Sequence, residues 1–100
     1  MAAYVISEVK ALDPESFATY RAIAQTAIGL YDGRYIVRGG PIDLVEGEWD
    51  ENRQLVIVEF PSLERARQWY RSPEYAQALQ VRDKALTRTL VFVDGVASGI

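Results

Sequence analysis

With neither His nor Cys among its 100 residues, this chain must do any chemistry through arginines, carboxylates, tyrosines and tryptophans. The missing Cys removes thiol nucleophiles, disulfides and thiolate metal sites; the missing His removes the usual base near pH 7 and the commonest metal ligand. Ser-His-Asp and Cys-His catalysis are thereby excluded. Arg38 stands first among what remains. It directly precedes Gly39-Gly40, where a backbone without side chains lets a ligand approach closely. A guanidinium there can clamp a carboxylate through two parallel N–H bonds, with Gly39 beside it in the substrate-binding set. The competing reading is structural, with Arg38 bracing the sheet by pairing with Glu46 or Glu59.

Proton transfer would fall to a carboxylate. Glu46, in a predicted extended stretch Ile42–Gly47, becomes a proton shuttle if it points inward, because burial raises a carboxyl pKa. Asp13, just before Pro14, is either a second candidate base or a helix cap. Trp69, Tyr70 and Tyr75 flank a predicted helix break and line a pocket for a flat or apolar ligand, or else pack the core. Tyr20 lies on an apolar helix face, where its hydroxyl needs a partner. Arg82 shares a face with Tyr75 and Leu79, as a snorkelling edge residue or a second anion contact. Metal binding is disfavoured, since only carboxylates are on offer and Asp50-Glu51 reads as a solvated turn. No cofactor is implied: Gly39-Gly40 lacks the spacing of a phosphate-cradling loop.

The elements that position these residues follow from periodicity. Tyr4–Val9 reads as a first strand that begins directly after Met1-Ala2-Ala3, with no leader-like segment. Asp13-Pro14-Glu15 starts a helix whose apolar face is Phe17, Tyr20, Ala24, Ala27, Ile28 and Tyr31, and Gly33 ends it with a left-handed turn. Arg34–Arg38 is a strand interrupted by a bulge or bend at Gly39-Gly40-Pro41. Leu55–Phe60, apolar on both faces, is central. Ser62 caps a second helix that breaks at Ser72-Pro73 and resumes through Tyr75, Leu79, Arg82 and Leu86. Thr89–Val93 closes the domain. The order β-α-β-β-α-β is the ferredoxin-like α+β arrangement, an antiparallel sheet with two helices on one face. The domain spans 1–95, with a tail at 96–100. Strands apolar on both sides would leave an uncovered patch, which predicts a homodimer joined through the sheet face.

Several segments together carry a resemblance. Asp13-Pro14-Glu15, Gly33-Arg34-Tyr35 running into Val37-Arg38-Gly39-Gly40-Pro41, Glu46-Gly47, Ile57–Ser62, and Trp69-Tyr70-Arg71-Ser72-Pro73-Glu74-Tyr75 resemble the domain-of-unknown-function 1330 family over nearly the whole chain. The resemblance implies a dimeric α/β barrel, two ferredoxin-like protomers sharing a closed core. It implies no reaction. The wider superfamily includes cofactor-free monooxygenases of aromatic polyketides, muconolactone-type isomerases, haem-degrading enzymes and ligand-binding regulators. The relatives that rely on His do so through a residue this chain lacks.

A composition of 49% hydrophobic and 25% charged residues is ordinary for a single globular domain. The net charge of −3 and the lack of a basic, aromatic-interleaved cluster give no reason to expect nucleic acid. No run approaches a membrane span, so no membrane partner is expected and the cytoplasm is the default compartment. Two functional readings stand. One is a cofactor-independent enzyme acting on a small carboxylate or lactone-like metabolite: Arg38 binds the anion, Glu46 or Asp13 moves a proton, and Tyr20, Trp69 and Tyr75 shape the pocket. The other is a non-catalytic dimer that binds a small anionic or aromatic ligand or serves as a structural module.

Overall fold

In the computed structural model, which describes residues 1–96, four strands and three helices alternate as β1 (Ala3–Ala11), α1 (Pro14–Leu30), β2 (Arg34–Arg38), β3 (Gln54–Phe60), α2 (Leu63–Tyr70), α3 (Pro73–Ala85) and β4 (Leu86–Asp94). Each helix begins where the sequence supplies an acceptor for its first free amides. Asp13 accepts from Ser16 N, Ser62 from Arg65 N and Ser72 from Tyr75 N, and Pro14 and Pro73 occupy first-turn positions that need no donor. The expected single broken second helix is therefore two helices, because Ser72 caps a fresh one.

The strands form one antiparallel sheet in the order β2-β3-β1-β4, the ferredoxin-like α+β arrangement. Alternation gives the sheet two faces. Val5, Ser7 and Val9 of β1 pair across to Val58, Val56 and Gln54 of β3 and to Phe92, Leu90 and Arg88 of β4. This inner face meets the helices, and Val5, Val9, Val58, Phe60 and Leu86 join Tyr20, Ala24, Ala27, Ile28, Ala66, Trp69, Tyr75, Ala78 and Ala85 in one core. The outer face carries Tyr4 and Ile6 against Ile57 and Val91, and no helix covers it.

Three expectations are corrected. Gly33 does not supply the left-handed residue after α1; Asp32 does, at φ 66°, a conformation a short polar side chain tolerates. Gly33 is required for space instead, since a Cβ there would lie 2.7 Å from Ile28 Cγ2 and 2.7 Å from Phe60 Cε1. The stretch Ile42–Gly47 forms no strand: residues 39–53 are a loop with Ile42, Leu44 and Val45 exposed, because the chain turns away at Gly39 (φ 72°) and Pro41 lacks a ladder donor. Leu86 is not the end of a helix face but the start of β4, whose pairing with β1 begins at Ala11–Leu86. Of the tail, Val96 is exposed and residues 97–100 lie outside the described residues.

Gly33→Ala forces a methyl into the contact between Ile28 and the fully buried Phe60, and overpacking of this kind costs about 1–3 kcal/mol. Urea denaturation of the variant measures that loss; an unchanged midpoint would show that the helix end has room to shift.

Candidate functional site

A bulge places the first candidate. Tyr35 pairs with Val58 and Arg38 with Val56, with a register shift between Tyr35 and Val37. Three residues apart on a regular strand, Tyr35 and Arg38 would face opposite sides. The extra residue turns Arg38 onto the inner face beside Tyr35, and its guanidinium carbon sits 4.2 Å from the centre of that ring. Arg38 Nη1 donates to Gln25 Oε1 of α1 at 2.9 Å. The acids proposed as its structural partners are elsewhere, since Glu59 accepts from Arg34 at 2.7 Å and Glu46 is exposed in the loop. Gly39 follows with its amide donating to Leu55 O at 2.9 Å, which anchors the strand end.

A second cationic centre forms at the other edge of the sheet. Arg88 of β4 reaches inward and donates from Nη1 to Tyr20 Oη at 2.6 Å and from Nη2 to Tyr75 Oη at 2.9 Å, and the two phenols hydrogen-bond to each other. Burial and the neighbouring Tyr20 phenol raise the Tyr75 pKa far above the ordinary phenol range, against the pull of Arg88. Burial works against the Arg88 charge, but the Tyr20 and Tyr75 oxygens outweigh it and hold its pKa above the usual arginine value. Proton counting then constrains the cluster. Both phenol oxygens accept from Arg88, a guanidinium that has donors alone, and either phenol can donate in the bond between them. One of the two phenol protons is therefore left for an acceptor outside the cluster.

Between these centres runs a narrow cleft of about 60 Å³, bounded by α1 and the inner face of the sheet. Its floor is Val5, Val9, Val56, Val58, Leu86 and Leu90; Phe17, Tyr20, Ala24 and Ile28 of α1 face them, and Trp69 of α2 stands in the wall. The polar lining consists of Ser7, Gln54, the Tyr20 and Tyr35 hydroxyls and three arginines, Arg21, Arg38 and Arg88, with no Asp or Glu among the lining residues. Tyr35, like Tyr75, has its pKa raised chiefly by burial. Such a cleft offers donors and positive charge over an apolar body; it has no carboxylate with which to remove a proton.

Of the residues singled out from sequence, Arg38, Tyr20 and Trp69 line the cleft, and Tyr75 sits behind Tyr20. The Trp69 and Tyr75 rings are also core, with centroids 4.2 Å apart, so the two readings of these aromatics merge. Five further candidates do not line the cleft: Gly39 is held at the strand end by Leu55 and Tyr70 borders a surface groove, and Glu46, Asp13 and Arg82 lie elsewhere. Glu46 is exposed in the 39–53 loop. Asp13 is engaged as the α1 cap, and its bonds to Ser16 lower its pKa, the opposite of what a base at neutral pH needs. Arg82 lies on a surface groove, not in the cleft, and pairs with its neighbour Asp83 at 3.4 Å.

Arg88 is the principal residue that sequence reading missed. Starting the last strand at Thr89 left it in a loop, whereas extending the alternation of Leu90 and Phe92 two residues back would have placed a lone charge on an apolar face. Gln54 and Arg21 carried no comparable signal. Among the described residues, no three carboxylates gather as a metal-binding group, and no helix is long and apolar enough to cross a membrane.

The fold is that of a ferredoxin-like α+β protein, and solved structures agree on it. Most of the chain superimposes on the RPA0582 protein of unknown function from Rhodopseudomonas palustris, with TM-score 0.76, 19% identity and coverage of 96% of this chain and 83% of that one. SnoaB, a cofactor-independent oxygenase from Streptomyces nogalater, matches with TM-score 0.69 at 11% identity over 98% and 96% of the two chains. A dimeric protein of unknown function with a ferredoxin-like fold from Bacteroides fragilis matches with TM-score 0.58 at 13% identity over 94% and 96%. No functionally curated protein matches the sequence. The chain belongs to the family described as Domain of unknown function (DUF1330), which matches residues 2–96.

The Tyr75 cluster has a pH signature. Its raised pKa means that above about pH 10 the unfolded chain releases the Tyr75 proton while the folded chain keeps it, so this contribution to stability declines as pH rises. Tyr75→Phe leaves an Arg88 N–H and the Tyr20 oxygen short of a partner and destabilises by about 1–3 kcal/mol below pH 9 or so. The gap to the parent then narrows above pH 10. Parallel denaturation curves across that range read it, and a gap independent of pH would contradict a protonated, buried Tyr75.

Proposed function

We propose that this protein binds a small carboxylic acid with an apolar or aromatic body in the cleft between α1 and the sheet. The observation that carries the reading is a cleft with three arginines, an apolar floor and no lining carboxylate. Apolar pockets with a few convergent polar groups are the usual form of small-molecule sites, and uncompensated guanidiniums select anions. Arg38 takes the carboxylate, because its one hydrogen-bond partner, Gln25, is neutral and leaves its charge unbalanced.

The binding unit is a homodimer joined through the outer face of the sheet. The molecule is only 16 Å along its thinnest axis, the depth of one sheet and one helix layer, so among the described residues no second layer covers the half-buried Tyr4, Ile6, Leu55 and Ile57 or the exposed Val91 and Val93. Val91 and Val93 are 45% and 44% exposed, and a contiguous patch of this kind marks an association surface. The dimeric description of the Bacteroides fragilis protein is in keeping with that assembly.

An enzymatic reading of the same site draws on Tyr20, whose hydroxyl and Arg88 neighbour could stabilise negative charge developing on a bound oxygen. With Glu46 and Asp13 outside the cleft, any proton abstraction would need a base from the ligand itself. Binding without turnover is the function the geometry supports best.

A thermal-shift screen against small aliphatic and aromatic carboxylic acids and lactones is expected to yield stabilising acids, with affinity reduced about tenfold or more by Arg38→Ala, the magnitude of a charged hydrogen bond. A broad panel without a hit, or hits untouched by the substitution, would sink the assignment; a new product on chromatography after incubation would favour the enzyme. For assembly, light scattering is expected to give twice the chain mass of 11.3 kDa at micromolar concentration, and a monomer there would refute the sheet-to-sheet dimer.

A further inference from the structure

Resting on the reading of the cleft as an acid-binding site, the geometry points to a ligand with two anionic ends: we infer that the cleft takes a dicarboxylic acid with an apolar spacer, one carboxylate on Arg38 and the other on Arg88 with Tyr20. The two guanidiniums come from opposite edges of the sheet. Arg38 lies on β2 and Arg88 on β4, with β3 and β1 between them, and their register positions differ by two residues, through Val56–Ser7–Leu90 on one row and Gln54–Val9–Arg88 on the next. Three strand spacings of about 4.8 Å and one two-residue step put their Cα atoms roughly 16 Å apart, and each guanidinium is held by its own partners, Arg38 by Gln25 and Tyr35 and Arg88 by Tyr20 and Tyr75.

Each end is built to receive an acceptor. At the Arg88 end, the guanidinium uses two of its five N–H donors on the phenols, and one of the two phenol protons has no acceptor within the cluster. At the Arg38 end, one N–H is held by Gln25 and the face by Tyr35, which fixes the guanidinium while leaving further donors. A second observation concerns Trp69 of the cleft wall, which is 2% exposed and whose Nε1 is the buried side-chain polar atom without a hydrogen-bond partner among the described residues; buried donors ordinarily find partners. Charge points the same way, since Arg21, Arg38 and Arg88 meet no lining acid and a dianion neutralises more of that field than a monoanion does.

Isothermal titration of the whole protein with linear dicarboxylates from succinate to sebacate, each paired with the monocarboxylic acid of equal chain length, tests this directly. The expected result is an optimum at intermediate length, with the best dicarboxylate bound about tenfold or more tightly than its monoacid. Tyr20→Phe, which keeps the ring, should weaken the diacid several-fold more than the monoacid; Arg38→Ala should weaken both ligands. Circular dichroism confirms that each variant is folded. Equal affinity for diacid and monoacid overturns the two-ended site and leaves the single-anion reading intact. Absence of binding by every acid overturns both. A Tyr20→Phe effect equal on monoacid and diacid also overturns the inference, because it would place a lone carboxylate at Arg88.

Discussion

A guanidinium pointing into the helix side of a four-stranded sheet is the constraint around which this protein is arranged. Arg88 is half-buried, and a charge drawn partly out of water must be hydrogen-bonded or the fold loses stability. Its acceptors are supplied by two helices, Tyr20 of α1 and Tyr75 of α3, which lie 55 residues apart in the chain. The cluster thus ties β4, α1 and α3 to one another. The Trp69 and Tyr75 rings, 4.2 Å apart at their centroids, seal it from behind. On the cleft side, the small Ala24 on the roof leaves room over the Val5, Val9 and Val56 floor, so the cleft exists between residues that in a tighter core would touch.

The distribution of charge follows a division between inside and outside. The chain carries a net −3, yet its cleft is cationic, because the acids are engaged at the surface: Glu59 with Arg34, Asp32 with Arg65, Asp50 with Arg53 and Asp83 with Arg82. Exposed pairs of this kind add little to stability. Their consequence lies in what they leave behind, a low-dielectric slot whose arginines have no internal counter-ion and whose field draws in anions.

The two-layer build bears on assembly in the same way. Two layers bury one face of the sheet, and among the described residues no second layer covers the apolar residues on the other face, while Ile42, Leu44 and Val45 of the 39–53 loop are exposed. Under the proposed homodimer the helix side would be the chemical face and the sheet side the associative one. The Arg38 bulge illustrates how closely they are linked: one extra residue in β2 moves a guanidinium from the associative face to the chemical one.

Periodicity and end signals were enough to read the ferredoxin-like order, the caps at Asp13, Ser62 and Ser72, and the central place of Leu55–Phe60, since these rest on local backbone chemistry and on which faces are apolar. Arg38, Tyr20, Trp69 and Tyr75 were also legible as residue types in suggestive positions. Their partners were not. That Glu46 lies in an exposed loop, that Asp13 works only as a cap, that Arg82 faces a surface groove and that Gly33 is needed for space at Phe60 all depend on contacts between segments distant in sequence. So does Arg88, whose role exists only because antiparallel pairing sets it opposite Val9 and beneath two tyrosines from different helices. Sequence fixes which groups a chain can offer and which face of an element they occupy; only the packing of one element against another decides which of them meet, because that is where burial turns a lone charge into a site.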